Sequence, residues 1–208
     1  MYKNQIVILA NGTFPQSEKL LNILDNAKQI ICCDGAVNKL VESGREPSVI
    51  IGDLDSVKAD IKEKYSDRLI HITEQDTNDL TKAVNWCVSK NITNVLILGA
   101  TGEREDHTIA NIALLTKYQE QIEVKMLTDN GVFIPIEETT IFDSFVGQQI
   151  SIFSQTPEIE ISSEGLKYPL QKLKLSSWWQ GTLNESISEQ FTIRFEGRAR
   201  LIVYLLNN

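Results

Sequence analysis

The residues of this chain best able to do chemistry are aspartates in short, spaced groups. Asp53 and Asp55 stand two apart in the run Gly52-Asp53-Leu54-Asp55-Ser56. On an extended chain alternate side chains share a face, which puts such carboxylates roughly 6–7 Å apart and pointing the same way. That spacing suits joint capture of hydrated Mg²⁺, a cation that takes a few carboxylates and fills its remaining positions with water and phosphate oxygens. The plainer reading of the same residues is a turn in which aspartate bonds local backbone. Asp76 and Asp79 flank a helix start in Gln75-Asp76-Thr77-Asn78-Asp79. Asp76 fits an N-cap, and Asp79 in the first turn gains from the helix dipole. Capping explains either residue alone. If both groups share one rim, their mutual repulsion calls for a cation.

A third group is the run Gly99-Ala100-Thr101-Gly102-Glu103-Arg104-Glu105-Asp106-His107, which leads into a helical pattern. Backbone N–H groups at a helix start can hold phosphate, and Arg104 adds a planar two-pronged donor. The run matches neither a P-loop nor a dinucleotide fingerprint. Read as a solvated loop, it makes Asp106 an N-cap. His107 is then a partner for Asp106 or for substrate. His71 and His107 are the two histidines of the chain, so no histidine-based metal site is proposed.

Each group follows a short apolar run rich in Val and Ile. Such runs lie at Gln5–Ala10, Gln29–Cys33, Val49–Ile51, Leu69–Ile72, Val95–Leu98 and Val124–Leu127, too short for helices and expected as strands. Asn11-Gly12-Thr13 and Asp34-Gly35-Ala36 follow two more of them. Between the runs lie helical spacings. Leu80, Ala83, Val84, Cys87 and Val88 share one face, as do Val37, Leu40 and Val41, and a helix from about Asp106 is expected to bury Ile109, Ile112 and Ala113. This alternation predicts a mostly parallel, doubly wound (Rossmann-like) sheet with helices on both faces, whose ligands bind beyond the carboxyl ends of the strands. After about Asp129 the texture changes. Phe191, Ile193 and Phe195 alternate with polar residues, and after Gly197 so do Leu201, Val203 and Leu205, which reads as a hairpin. Gln149–Phe153 and Glu158–Ser162 look similar. The tail is expected to be an antiparallel β-sandwich.

Bulk properties narrow the partners. The chain has 208 residues, 20 Lys and Arg against 28 Asp and Glu, and a net charge of −8. It has no basic run, which argues against nucleic acid as a partner. Cys32, Cys33 and Cys87 lack zinc or redox spacing and read as small buried hydrophobes. The N-terminal apolar stretch is too short for a secretory signal, and nothing approaches the length of a membrane span. The expected compartment is the cytoplasm, with no membrane partner.

Taken together, Asp34-Gly35 with Asn38, the Gly52–Ser56 run, Gln75–Asp79 leading into Leu80-Thr81-Lys82-Ala83, and Gly99-x-x-Gly102-x-Arg104-x-Asp106-His107 resemble the thiamine pyrophosphokinase family in content and order. Thr182-Leu183-Asn184-Glu185 is similar to that family's Ser/Thr-x-Asn-Glu segment. The likeness spans nearly the whole chain and is most specific in its N-terminal part. It implies a nucleotide-binding catalytic domain over residues 1–130 and a sandwich over residues 131–208 for thiamine binding and dimerisation. It implies a homodimer with active sites at the subunit interface. The implied reaction moves pyrophosphate from ATP to the thiamine hydroxyl and releases AMP. By the same resemblance Asp53, Asp55 and Asp79 hold Mg²⁺ and, with Arg104, form the catalytic set. Asp34, Gly35, Asn38, Gly99, Gly102, Arg104, Asp106 and His107 meet ATP, while Gln75, Asp76, Thr182 and Asn184 meet thiamine. Ala36-Val37 stands where the family often has Gly-Ala, and Asn78 where it often has Thr; neither departure removes a carboxylate. The tryptophan that some relatives carry near the C-terminus has no match in Gly197–Leu206. Trp178 and Trp179 are the candidates for an aromatic face, and on a strand they would point opposite ways. Two rivals stay open on the residues: a metal-dependent nucleotidyl or glycosyl transferase, and a non-catalytic nucleotide sensor.

Overall fold

A computed structural model describes residues 4–207; Met1–Lys3, which head the N-terminal stretch, and Asn208 lie outside the described residues. The chain divides into two compact units, Met1–Leu114 with Glu120–Asp129 and Leu115–Gln119 with Asn130–Asn208.

The first unit holds six strands: β1 (Ile6–Leu9), β2 (Gln29–Cys33), β3 (Val49–Gly52), β4 (Leu69–His71), β5 (Asn94–Leu98) and β6 (Glu123–Leu127). All pair in parallel, in the order β6-β5-β1-β2-β3-β4. Val7, Ile8 and Leu9 are consecutive and none exceeds 1% exposure. Neighbours on a strand face opposite ways, so both faces of this sheet are covered, and that is why its strands read as unbroken apolar runs. The connections carry α1 (Glu18–Asp25), α2 (Ala36–Glu42), α3 (Ala59–Lys64), α4 (Asp79–Ser89) and α5 (Glu105–Gln119). Helix α4 buries Leu80, Ala83, Val84 and Cys87, the face its spacing predicts. Helix α5 departs from expectation. It buries Asn111, Leu115 and Tyr118 and leaves Ile109 exposed. The buried side also takes in Thr116 and so runs through polar residues, while Ile112 and Ala113 of the expected face are half-buried, so apolar spacing alone placed the face only in part. The three cysteines are free and buried, and burial pushes the Cys87 thiol up to about 12.

From β1 the chain winds outward through β2, β3 and β4, then crosses back to lay β5 on the other side of β1. The gap between β1 and β5 is therefore the topological switch point, where an open parallel sheet binds its ligand.

The second unit contains β7 (Gly131–Ile136), β8 (Thr140–Asp143), β9 (Gln149–Ser154), β10 (Glu160–Glu164), β11 (Leu173–Lys174), β12 (Asn184–Glu185), β13 (Gln190–Arg194) and β14 (Leu201–Leu206). They pair antiparallel in two orders, β12-β9-β14-β7 and β11-β10-β13-β8. Ile150, Ile152, Leu201 and Val203 from one sheet share a core with Phe142, Ile161, Phe191 and Ile193 from the other. The Phe142 and Phe191 rings stack at 4.9 Å. The expected hairpin between the last two alternating runs does not form. After Gly197 the chain changes sheets: β13 pairs with β8 and β10, and β14 with β7 and β9. Both runs alternate because both feed one core, from opposite sides.

Candidate active site

At the switch point the loops after β1 and β5 bond to each other. Gly12 N–H donates to the Gly99 carbonyl at 2.7 Å, and Thr13 N–H to that of Thr101 at 2.8 Å. Gly102 has φ +94, and a Cβ there would stand 2.4 Å from Thr13 Oγ1, so the loop passes only as glycine. A cleft of about 330 Å³ opens here, lined among others by Gly12, Asp34, Asp79, Thr101, Arg104 and His107.

Asp34 and Asp79 reach this cleft from different elements. Asp34 follows β2 with φ 42. It is 5% exposed, and its buried Oδ1 has no hydrogen-bond partner. Asp79 opens α4. Between them lies Gly52, φ +154, where an added Cβ would come within 2.9 Å of Asp34 Cβ and 3.2 Å of Asp79 Oδ1. The glycine that starts the Gly52–Ser56 run is what lets these two acids approach, a role not read from the sequence. Burial raises the Asp79 carboxyl above its usual range, with Asp34 and Asp53 adding to the rise and Lys82 opposing it. Lys82 lies one turn along α4, its Nζ 3.1 Å from Asp79 Oδ1 and its side chain 3% exposed.

The helix start is built differently from the expected Asp76 cap. Asn78 is the N-cap of α4, its Oδ1 accepting from Thr81 N–H at 2.9 Å. Asp76 stands two residues too early. Its own N–H and that of Thr77 donate to Glu74 Oε2 at 2.8 and 3.0 Å, so Glu74 shapes this turn.

Asp53 and Asp55 do not lie side by side on a strand. β3 ends at Gly52, and Leu54, buried between them, has φ 65. Asp53 Oδ1 accepts Asp55 N–H at 3.1 Å, the local turn that was the plainer reading. That bond, before the weaker one from Gln75 Nε2 at 3.5 Å, holds the Asp53 carboxyl below its usual range. Asp55 is exposed. Asn38 spends its amide on the same loop, donating to the Ser56 carbonyl at 2.8 Å and accepting Lys58 N–H at 3.1 Å. Gly35 starts α2 tight against Asn11, whose Nδ2 would meet an added Cβ at 2.8 Å.

Arg104 makes a two-pronged pair with Asp106, at 3.1 and 2.6 Å. Asp106 is not a cap: α5 begins at Glu105, and the Arg104 carbonyl accepts Thr108 N–H at 2.9 Å. The guanidinium, helped by His107 N–H, holds the Asp106 carboxyl down at about 2. Lys39 was not picked out by sequence. Its Nζ donates to the Gly12 carbonyl at 2.9 Å and pairs with Glu103, which lines the cleft. Its position beside Asn38 was the available signal.

In the second unit Asn184 is 6% exposed and its amide is engaged. It donates to the Tyr168 carbonyl at 2.7 Å and accepts Tyr168 and Glu185 N–H at 3.2 and 2.9 Å. Thr182 Oγ1 donates to the Trp179 carbonyl at 2.7 Å. The tryptophans sit in a 3₁₀ turn, Trp178–Gly181, and not on a strand, because Ser177 and Gln180 form a capping box there. They still part ways: Trp178 packs on Phe153 at 5.6 Å, and Trp179 is 74% exposed.

The oxygen donors around Gly52 have the hardness Mg²⁺ requires. Among the described residues no three His, Cys, Asp or Glu side chains form a group that could hold a metal by themselves. Asp34 and Asp79 could therefore supply only part of the coordination of such a cation, the remainder having to come from water or phosphate oxygens.

Comparison with known proteins follows the same lines. The model of the thiamin pyrophosphokinase catalytic domain matches residues 20–126, and that of the thiamin pyrophosphokinase substrate-binding domain matches residues 131–204. Thiamin pyrophosphokinase 1 of Caenorhabditis elegans is 29% identical over 175 residues, 76% of this chain and 71% of that protein. Thiamine pyrophosphokinase of Bacillus subtilis (strain 168) is 28% identical over 179 residues, 82% of this chain and 84% of that one. The crystal structure of thiamine pyrophosphokinase from Bacillus subtilis superposes with a TM-score of 0.81 at 25% identity, covering 98% and 99% of the two chains. Thiamin pyrophosphokinase from Candida albicans, at 18% identity and a TM-score of 0.78 over 100% and 90%, shares the fold. With both family domains matched in order along its length, the chain belongs to the thiamin pyrophosphokinase family.

Proposed function

We propose that this enzyme transfers the pyrophosphoryl group of ATP to the hydroxyl of thiamine, with Mg²⁺, giving thiamine pyrophosphate and AMP. The observation that carries this reading is the buried, unpartnered Asp34 oxygen beside half-buried Asp79 at the mouth of the cleft. A carboxylate oxygen buried without a partner is costly, and a site for a cation with phosphates gives it a use.

In this reading the thiamine oxygen attacks the β-phosphorus. The bond from that phosphorus to the oxygen bridging to the α-phosphorus breaks, AMP leaves with the bridging oxygen, and the hydroxyl proton passes to a base. Transfers of this kind need positioning and charge neutralisation more than covalent help. Asp53, Asp55 and Asp79 would hold Mg²⁺, which when bound offsets phosphate charge. The Gly99–His107 loop offers N–H donors to the phosphates. Arg104 exchanges Asp106 for a phosphate, to which its planar fork is equally suited. Asn38 and Glu74 act at one remove, holding the loops that carry Asp53 and Asp79.

We assign thiamine recognition to the surface around exposed Trp179, with Asn184 shaping it by fixing Tyr168, and we take the enzyme to be a homodimer. No described helix is long and apolar enough to cross a membrane. Three unpaired, buried cysteines fit our placement of the enzyme in the cytoplasm. The test is direct. Purified protein incubated with ATP, Mg²⁺ and thiamine should yield AMP and thiamine pyrophosphate in equal amounts. ADP as product, or nucleotide turnover indifferent to thiamine, would point to another transferase.

A further inference from the structure

A lysine ammonium is rarely buried unless paired. Lys82 is buried to 3% exposure of its side chain, and it spends its charge on Asp79 Oδ1 at 3.1 Å. Around that contact stands an excess of negative charge. Asp34 is 5% exposed with Oδ1 unpartnered, and both acids crowd Gly52, whose Cα leaves no room for a methyl between them. Two acids on either side of one glycine repel each other, and among the described residues no three potential ligand side chains form a metal cage.

We propose that Lys82 is the resident counter-cation of Asp79, occupying that carboxylate until nucleotide binds and weakening its hold on a lone divalent ion, so that the ion enters with the nucleotide. The inference rests on the reading of Asp79 as a cation-holding residue. Its physical basis is competition: a divalent ion that takes Asp79 Oδ1 must face or displace the ammonium already on that oxygen, and the polyphosphate of a nucleotide supplies ligands and charge that offset this. Lys82 is therefore a positioning residue, acting through Asp79.

Mn²⁺ is the probe, followed by the enhanced water-proton relaxation of protein-bound Mn²⁺, with and without ATP and against Mn²⁺–ATP lacking enzyme. Wild-type enzyme should bind Mn²⁺ weakly alone and at least tenfold more tightly with ATP. Lys82→Met should bind Mn²⁺ without nucleotide at least tenfold more tightly than wild type, although its turnover falls. In EDTA it should melt earlier than wild type, and Mn²⁺ should raise its melting temperature by more. Lys82→Arg, which keeps the charge, should retain weak nucleotide-free binding. The double variant Asp79→Asn/Lys82→Met, with neither charge left unpaired, should melt above Lys82→Met in EDTA. A purely structural lysine would lower stability without tightening Mn²⁺ binding, and that result overturns the proposal. So does a wild type that binds Mn²⁺ as tightly without ATP as with it, a measurement that needs no variant to fold. If ATP fails to bring Mn²⁺ onto the wild-type enzyme at all, the cation reading of the site itself falls, and this inference with it.

Discussion

The amide of Asn78, the cap of α4, donates to the side chain of Asn111 on α5 at 3.2 Å. Asn111 in turn donates to the Ala100 carbonyl at 2.9 Å and is 8% exposed. One amide chain thus ties the helix start that carries Asp79 to the loop that borders the cleft. Asn111→Leu would leave a buried carbonyl and the Asn78 amide without partners, at about 1–3 kcal/mol. We expect the urea midpoint to fall accordingly and KM for ATP to rise, because the two walls of the cleft lose their common reference. An unchanged KM would mean that the loop is held well enough by its bonds to Gly12 and Thr13.

Asp55→Asn and Asp79→Asn should both abolish turnover, yet they should differ in stability. Asp55 is exposed, and its substitution should change unfolding free energy by less than about 0.5 kcal/mol. Asp79→Asn strands the buried Lys82 ammonium. Breaking a fully buried pair costs about 3–5 kcal/mol; with Asp79 only half-buried, solvent reduces this to about 2 kcal/mol. Urea unfolding in EDTA separates the two. Equal stabilities would show that Lys82 finds another partner.

Asp129 follows β6 and receives Ser17 N–H at 2.7 Å and Gln16 N–H at 3.1 Å, at the head of α1. Burial raises its carboxyl, but the Ser17 and Gln16 bonds outweigh this and hold it below the usual range. A carboxyl lowered by folding stabilises above its unfolded value and loses that contribution as pH falls. The stabilisation should be present above about pH 4 and fade below it. Asp129→Asn should cost about 0.5–1 kcal/mol at pH 7, since the pair is exposed and screened, and the difference from wild type should shrink toward pH 3. A gap independent of pH would assign the effect to packing.

What could be read from sequence follows from what local patterns encode. Ile30-Ile31-Cys32-Cys33 is too short and too uniformly apolar for a surface helix, so β2 and its parallel neighbours were legible. Asp34 and Asp79, which meet across Gly52, were legible as residues of one sheet edge because each follows such a run. The conformation of the Asp53–Asp55 turn was not, since period-two reading assumes a strand that continues, and this one stops at Gly52 with Leu54 left-handed. Lys39 and Glu103 lie 64 residues apart and are neighbours only through the fold. For β13 and β14, alternation shows which side of a strand is apolar and says nothing about which strand lies beside it.

The exposed Trp179 allows a sharp comparison with its neighbour. Trp178 is half-buried on Phe153, whereas Trp179 is 74% exposed, next to a turn where Leu183 is 78% exposed with φ 61. Thiamine is a cation with flat rings, and a tryptophan face attracts such a ligand by about 0.5–2 kcal/mol. Trp179→Leu should therefore leave unfolding free energy within about 0.5 kcal/mol of wild type while weakening thiamine binding by roughly three- to thirtyfold. Trp178→Leu should do the reverse, losing about 1–3 kcal/mol of stability as its ring contact with Phe153 goes, with a smaller change in thiamine affinity. Calorimetric titration of thiamine reads the affinity, and sedimentation run on the same samples reads the oligomeric state. If Trp179→Leu keeps full thiamine affinity but sediments as a smaller species than wild type, its ring belongs to a subunit contact and the thiamine face must lie elsewhere. If it loses affinity without changing size, the exposed ring is the ligand's platform.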